Sequence, residues 1–288
     1  MLRAVHSVAL VAAALWASAG WAQVPDAAAG RTLPTVLRQL AERTQQYYDR
    51  FTSIICTETV RQQDLRRNLA PAGRPRVTIF ELSVSRDLKS QDANDLRIER
   101  TLLSVNGRPA RKNQQPGCTD PKTGTPEPLS FLLEKNQPRF RFALNDRAAG
   151  GPAGARALSF IQSPPEPVSV KWTDNCFNAE GGGQEGRVWF DPVTFDVLQV
   201  EARLSTPFHV RVPQISVAVQ SPIFVERAET TVRFERVAFE KPDEIVLLPQ
   251  SVETLTVFRG ATSLRTEQKL TNFRRFLAES KIRTAEFQ

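Results

Sequence analysis

The sequence predicts a mainly β (α+β) protein: a strongly curved antiparallel sheet or half-barrel of about ten strands, with one N-terminal helix packed on the concave face. Three observations lead there. Residues 32–51 are the one long segment with apolar residues at helical spacing. From residue 54 onward, apolar and polar residues alternate in segment after segment. There is no βαβ rhythm and no repeat of fixed period, so antiparallel pairing is the natural solution.

The helix reads TLPTVLRQLAERTQQYYDRF. Thr32 stands at the N-cap position, and Pro34 suits the first turn. Val36, Leu37, Leu40, Thr44, Tyr47, Tyr48 and Phe51 recur every three or four residues and form one stripe. Arg38, Glu42, Arg43, Gln46 and Asp49 make the other faces polar, so the stripe needs a surface to rest on.

The strands follow. IICTETV opens the series, and RVTIFELSVSR places Phe80, Leu82 and Val84 on one face. LRIERTLLSV ends at Asn106-Gly107, a hairpin signal because both residues accept positive φ. Residues 111–128 are rich in proline and read as a loop, and PLSFLLEKN as a short helix. RFRFAL sets Phe140 and Phe142 against Arg139 and Arg141, and residues 145–156 form a Gly/Ala-rich tip. Further strands are expected at 157–162, 168–173, 186–190, 197–205, 209–212, 229–239, 245–258 and 263–273. Pro249 marks an edge or a bend within its strand.

The N-terminus, MLRAVHSVALVAAALWASAGWAQ, has the form of a cleaved secretory signal over residues 1–22. Its apolar run is about ten residues, half of what a bilayer span needs. Residues 23–31 are a flexible lead-in, 32–277 a single β-rich domain and 278–288 a C-terminal tail. No later segment is apolar enough to span a membrane, so the mature chain is expected to be periplasmic or extracellular. About 266 residues are ample for one sizeable core. The formal charge is +7 and spread along the chain. Nucleic acid is a poor partner for an exported protein, whereas an anionic envelope surface would attract it.

Export permits disulfides. Cys118 and Cys176 lie in loop-like contexts and Cys56 in an apolar one. That favours a Cys118–Cys176 bridge with Cys56 as a buried thiol, although sequence alone leaves the other pairings open. No CxxC is present, and neither a metal nor another cofactor is indicated.

Catalytic equipment is sparse. His209 is the one histidine outside the signal, no GxSxG elbow occurs, and EGGGQEG lacks the Lys-Ser/Thr of a phosphate loop. Asp191 and Asp196 in GRVWFDPVTFDVLQVEARL flank a turn, where aspartate and proline serve local backbone geometry. Phe195 is the oddity, because the usual shape of this turn needs positive φ there. Such a backbone costs about 1 kcal/mol or more for a non-glycine residue. The turn is therefore expected to be reshaped, or Phe195 to gain burial.

Seventeen phenylalanines are more suggestive. In RVWF, Val188 and Phe190 point one way and Trp189 the other, so this strand is apolar on both faces. Phe80, Leu82, Val84, Phe140, Phe142, Trp189, Phe190 and Phe234 are the candidate lining of an apolar pocket. The same residues would equally serve as plain core.

The hairpin GRVWFDPVTFDVLQVEARL resembles the G-x-W-x-D-P-x-T-G-x-V/L-L pattern of the lipoprotein-carrier (LolA-like) superfamily, with Phe195 in place of the glycine. CTETV, VNGRPA, GCTDPK, VKWTDNC, RVWFDP and LTNFRRFLAESKI resemble an uncharacterised family of exported bacterial proteins. The first resemblance implies a half-barrel closed by helices over an apolar cavity, and acyl-chain binding without chemistry. The second implies no activity. The leading expectation is thus an exported, non-enzymatic protein that binds an apolar or lipid-like ligand. The alternatives are a ligand-free binding or scaffolding module of the envelope, and a carboxylate-dependent hydrolase of envelope polymers.

Overall fold

In the computed structural model of this chain the described residues are 32–87, 89–90, 92, 95–114, 116–118, 124–145, 150–173, 176–210, 223–240 and 242–275. The expected signal, lead-in and tail lie outside them. Residues 32–275 belong to one compact unit.

Helix α1 (Leu33–Phe51) begins the unit. Among the described residues fourteen strands follow: β1 (Ile54–Leu65), β2 (Arg76–Arg86), β3 (Leu96–Val105), β4 (Arg108–Pro109), β5 (Phe140–Leu144), β6 (Arg156–Gln162), β7 (Ser169–Thr173), β8 (Cys176–Glu180), β9 (Gln184–Phe190), β10 (Val197–Leu204), β11 (Phe208–Val210), β12 (Ile223–Glu240), β13 (Asp243–Arg259) and β14 (Ser263–Arg275). All pairings among them are antiparallel. The main sheet runs β4-β3-β2-β1-β14-β13-β12-β10-β9-β6-β5, with β11 on the free part of β12, and β7-β8 form a separate ribbon. The last strand, β14, pairs with the first, β1, so the two ends of the domain meet mid-sheet.

The helix forms as its stripe dictates. Val36, Leu40, Tyr47 and Phe51 are buried in one cluster with Leu82, Val84, Val188, Phe190, Val232, Phe234 and Leu248 of the curved sheet. Burying a leucine or phenylalanine contributes about 1.5–3 kcal/mol, so this face holds the helix down. Pro34 lies in the first turn as expected. Thr32 occupies the N-cap position, but its hydroxyl meets the Thr35 hydroxyl at 3.1 Å instead of capping the backbone. At the other end, Arg275 Nη1 donates to the Thr52 carbonyl at 2.6 Å, a cation placed on the negative end of the helix.

The expected helix at PLSFLLEKN is a 3₁₀ turn, Glu127–Leu132, with a second at Gln137–Arg139. Leu129, Phe131 and Leu132 of the first turn join the core beside α1. Concave-face cover is thus shared between α1 and this turn. A strand was not expected at Cys176–Glu180, yet that segment pairs with β7. The Asn106-Gly107 turn is present, with φ of 50° and 75°. Pro249 faces Phe234 at a register shift, two residues before Ser251, where the pairing with β14 starts. Beyond that shift the β12–β13 hairpin continues as a two-stranded ribbon. No described helix is long and apolar enough to cross a membrane.

Cys118 and Cys176 are bonded, and Cys56 is a buried free thiol. The bridge ties the segment lying over Gln62 and Arg76 to the β7–β8 ribbon. A disulfide of this kind fits an oxidising compartment.

Candidate functional site

A polar cluster that ties α1 to the sheet is centred on Asp196, at the start of β10. Its carboxylate is 4% exposed and accepts from two arginines. Arg43 Nε, from α1, donates at 2.6 Å. Arg236, from β12, donates through Nε at 2.9 Å and through Nη2. Arg43 also donates to Gln46 Oε1 at 2.8 Å, and Arg236 to Thr194 Oγ1 at 3.1 Å. One buried carboxylate therefore clamps the helix to two parts of the sheet. Burial alone would raise the Asp196 pKa, but the hydrogen bonds and charges of Arg43 and Arg236 outweigh it and hold the acid below its ordinary value.

The turn that delivers Asp196 is built by Asp191. Its Oδ1 accepts from the backbone N–H groups of Val193 and Thr194 at 2.8 and 2.9 Å. Its carbonyl accepts from Phe195 N–H, and Asp196 O accepts from Asp191 N–H, both at 2.9 Å. The turn chemistry expected of both aspartates belongs to the side chain of Asp191 alone. That of Asp196 is the correction: its carboxylate faces Arg43 and Arg236, partners too remote in sequence to be read from the turn.

Beside the clamp lies an open recess of about 330 Å³, lined by Arg43, Gln46, Tyr47, Arg50, Thr194, Asp196, Arg236 and residues 245–247. Tyr47 is buried, and its hydroxyl has no hydrogen-bond partner. Burial pushes that phenol well above its ordinary pKa, so it is neutral.

The predicted pocket residues divide. Leu82, Val84, Phe190 and Phe234 are buried in the main core against α1. Phe140 and Phe142 pack at its margin with Phe131 and Phe160. Phe80 is buried under the guanidinium of Arg100, 4.8 Å from its ring centroid. Trp189 stands apart on the opposite face of the sheet, in the register row Ala157-Trp189-Gln199. It is 1% exposed because the backbone of Gly151 lies on its ring: a Cβ there would sit 1.9 Å from the indole. Arg187 covers it from the side at 5.2 Å.

That opposite face also holds an open trough of about 710 Å³ across β5, β6, β9, β10 and β12. Its walls are the outward register rows Arg141-Ile161-Glu185-Arg203-Glu229 and Ala143-Ser159-Arg187-Glu201-Thr231. Arg203 pairs with Glu185 at 2.6 Å and Arg187 with Glu201 at 3.3 Å. Such half-exposed pairs contribute little to stability and keep the face charged and wet.

Sequence reasoning did not find the buried pair Glu58–Arg100. Glu58 is fully buried on β1, and Arg100 of β3 grips it with Nε at 2.7 Å and Nη2 at 2.6 Å. Burial raises the Glu58 pKa more than Arg100 lowers it. The alternation ICTETV did place Glu58 on the same face as Cys56 and Val60, which is the signal that could have revealed it.

No protein-family model matches the chain. No curated protein is significantly similar to it.

Proposed function

We propose that this chain is an exported, non-enzymatic binding module of the cell envelope, with a filled core and with its contacts made from the outer surface. The observation that carries this reading is the concave face. The side chains expected to line a cavity there, Leu82, Val84, Phe190 and Phe234, are packed against α1 in one buried cluster. Surface concavities instead occur at the recess beside Asp196 and at the charged trough. Native mass spectrometry of the gently purified chain tests it. The reading predicts the mass of the polypeptide without a stoichiometric apolar ligand. A lipid retained at one per chain would overturn it.

A carrier of acyl chains is the second reading, in line with the hairpin's resemblance to the lipoprotein-carrier superfamily. It is favoured by one observation under α1: Thr44 Oγ1 and Tyr47 OH are buried without hydrogen-bond partners. Unmet buried polar groups cost about 1–3 kcal/mol each, which lowers the work of lifting the helix. In that case α1 is a lid, and the concave face becomes a site only when it opens.

A further inference from the structure

We infer that one end of the main sheet, formed by the β1–β2 and β3–β4 hairpin tips and the loop after β4, docks on the phosphate layer of an anionic phospholipid surface. This rests on the envelope-module reading above and names what that module touches.

The charge there is one-sided. Residues 61–76 and 105–118 carry eight arginines and lysines but one carboxylate, Asp64. Elsewhere on the sheet, exposed arginines meet a carboxylate on a neighbouring strand: Arg203 meets Glu185, Arg233 meets Glu253 and Arg274 meets Glu81. Arg61 is paired in the same way, with Glu267 of β14. Arg66, Arg67, Arg74, Arg108, Arg111 and Lys112 are different: all are exposed, and none makes an ion pair among the described residues. The adjoining strand β14 adds Arg265, opposite Gln63. Asp120 and Lys122, in the segment that follows, cancel in formal charge. The positive excess therefore stands when the neighbouring carboxylates are counted.

The backbone that carries these cations is fixed. Asn106 donates its N–H to the Val77 carbonyl at 2.7 Å, and its Oδ1 accepts from Val77 N–H at 2.8 Å, which ties the β3–β4 tip to the start of β2. In the loop, Gln114 Oε1 accepts from Arg111 N–H at 2.9 Å, and Arg111 O accepts from Gln114 N–H at 3.1 Å. Two open recesses of about 590 and 440 Å³ lie here and share Val105, Asn106 and Gln114. Arg74, Arg76, Arg108, Arg111 and Lys112 line them, and among the described residues no carboxylate does. Guanidinium forks match phosphate oxygens in pairs. Clusters of about four to eight basic side chains are what an anionic lipid surface attracts. A planar partner is favoured because the cations stand on adjacent hairpin tips at one end of the sheet, where a flat surface meets them together. Among the described residues no aromatic side chain lines the recesses, so nucleic-acid bases would find nothing to stack on.

The test is vesicle flotation of the purified full chain at about 0.1 M and about 0.5 M salt. Vesicles of phosphatidylglycerol and phosphatidylcholine in equal parts are compared with phosphatidylcholine alone, which controls for insertion of the apolar N-terminus. Binding to the anionic vesicles only, and only at the lower salt, is expected. Arg108→Gln combined with Arg111→Gln and Lys112→Gln should weaken it about a hundredfold, since each cation near such a surface contributes about a factor of five. Arg38→Gln combined with Arg203→Gln and Arg233→Gln removes the same charge from exposed ion pairs elsewhere and should leave binding within about twofold of wild type. All six positions are exposed, so thermal unfolding should confirm that both variants remain folded. Absence of binding by the wild-type chain would overturn the inference, as would equal binding to phosphatidylcholine, full retention by the first variant or an equal loss in the second. Retention on immobilised polyglutamate without flotation would mean an acidic polymer and reject the membrane. Each negative result leaves the native mass of the chain unchanged, so failure here is distinguishable from failure of the envelope-module reading.

Discussion

Phe195 stacks on Phe190 with ring centroids 5.8 Å apart and planes 15° apart, while its own backbone sits at φ of 60°. The turn keeps the shape that normally calls for glycine, and burial of the ring offsets the strain. Phe195 is 4% exposed and belongs to the main core.

This relationship separates side-chain size from backbone strain. Phe195→Ala is expected to destabilise the domain by about 3 kcal/mol through lost burial. Phe195→Gly should be the milder change by about 1 kcal/mol, because it releases the left-handed backbone. Chemical denaturation of both variants checks the order. If glycine were the worse replacement, the strain account would fail.

The Asp196 clamp gives the domain an acid dependence. A carboxylate whose folded pKa is lowered contributes stability above its ordinary value of 3.8, and that stability is lost as pH falls through the lower folded value. Asp196→Asn should therefore be less stable than wild type near neutrality, by about 1–2 kcal/mol given how far both arginines reach into solvent. The gap should narrow progressively below pH 3.8. Denaturation midpoints measured across that range decide it, and a gap independent of pH would count against the clamp.

Glu58 and Arg100 behave differently, because burial is the larger influence on Glu58. Arg100→Leu strands a buried acid and should cost about 3–5 kcal/mol. Glu58→Leu combined with Arg100→Leu should recover most of that loss, since a buried ion pair seldom outperforms apolar packing. A double-mutant cycle by urea denaturation reads the difference.

The thiols offer a chemical check. Burial pushes the Cys56 thiol up to about 12, with the nearby Glu58 charge adding to the shift. At pH 7–8 Cys56 should resist alkylation in the native protein and react at once in denaturant. Cys118→Ala with Cys176→Ala opens a loop spanning 58 residues and should cost about 2–4 kcal/mol. Non-reducing peptide mapping and mass labelling report both results.

Much of this fold is legible in the residues. The α1 stripe, the alternation in β2, the Asn106-Gly107 turn and the irregular pairing at Pro249 all follow from local chemistry. The Cys176–Glu180 strand was hidden because its neighbours, Asp174, Asn175 and Gly181–Gly183, have the composition of a loop. The Asp196 clamp was hidden for another reason. Arg43 lies 153 positions away and reads as the polar side of a helix, so only the folded arrangement reveals the partner of the carboxylate. The two-faced apolar character of RVWF was readable. What covers Trp189 was not, because Gly151 has no side chain to announce a contact.

The central claim is that α1 stays seated on a filled concave face, and amide hydrogen exchange measures this most directly. The account predicts that amides of Leu40, Tyr47 and Tyr48 exchange only through global unfolding, with the same opening free energy as β13 amides such as Val252. Exchange of the α1 amides through a much easier local opening, with β13 still protected, would contradict it and make the helix a lid.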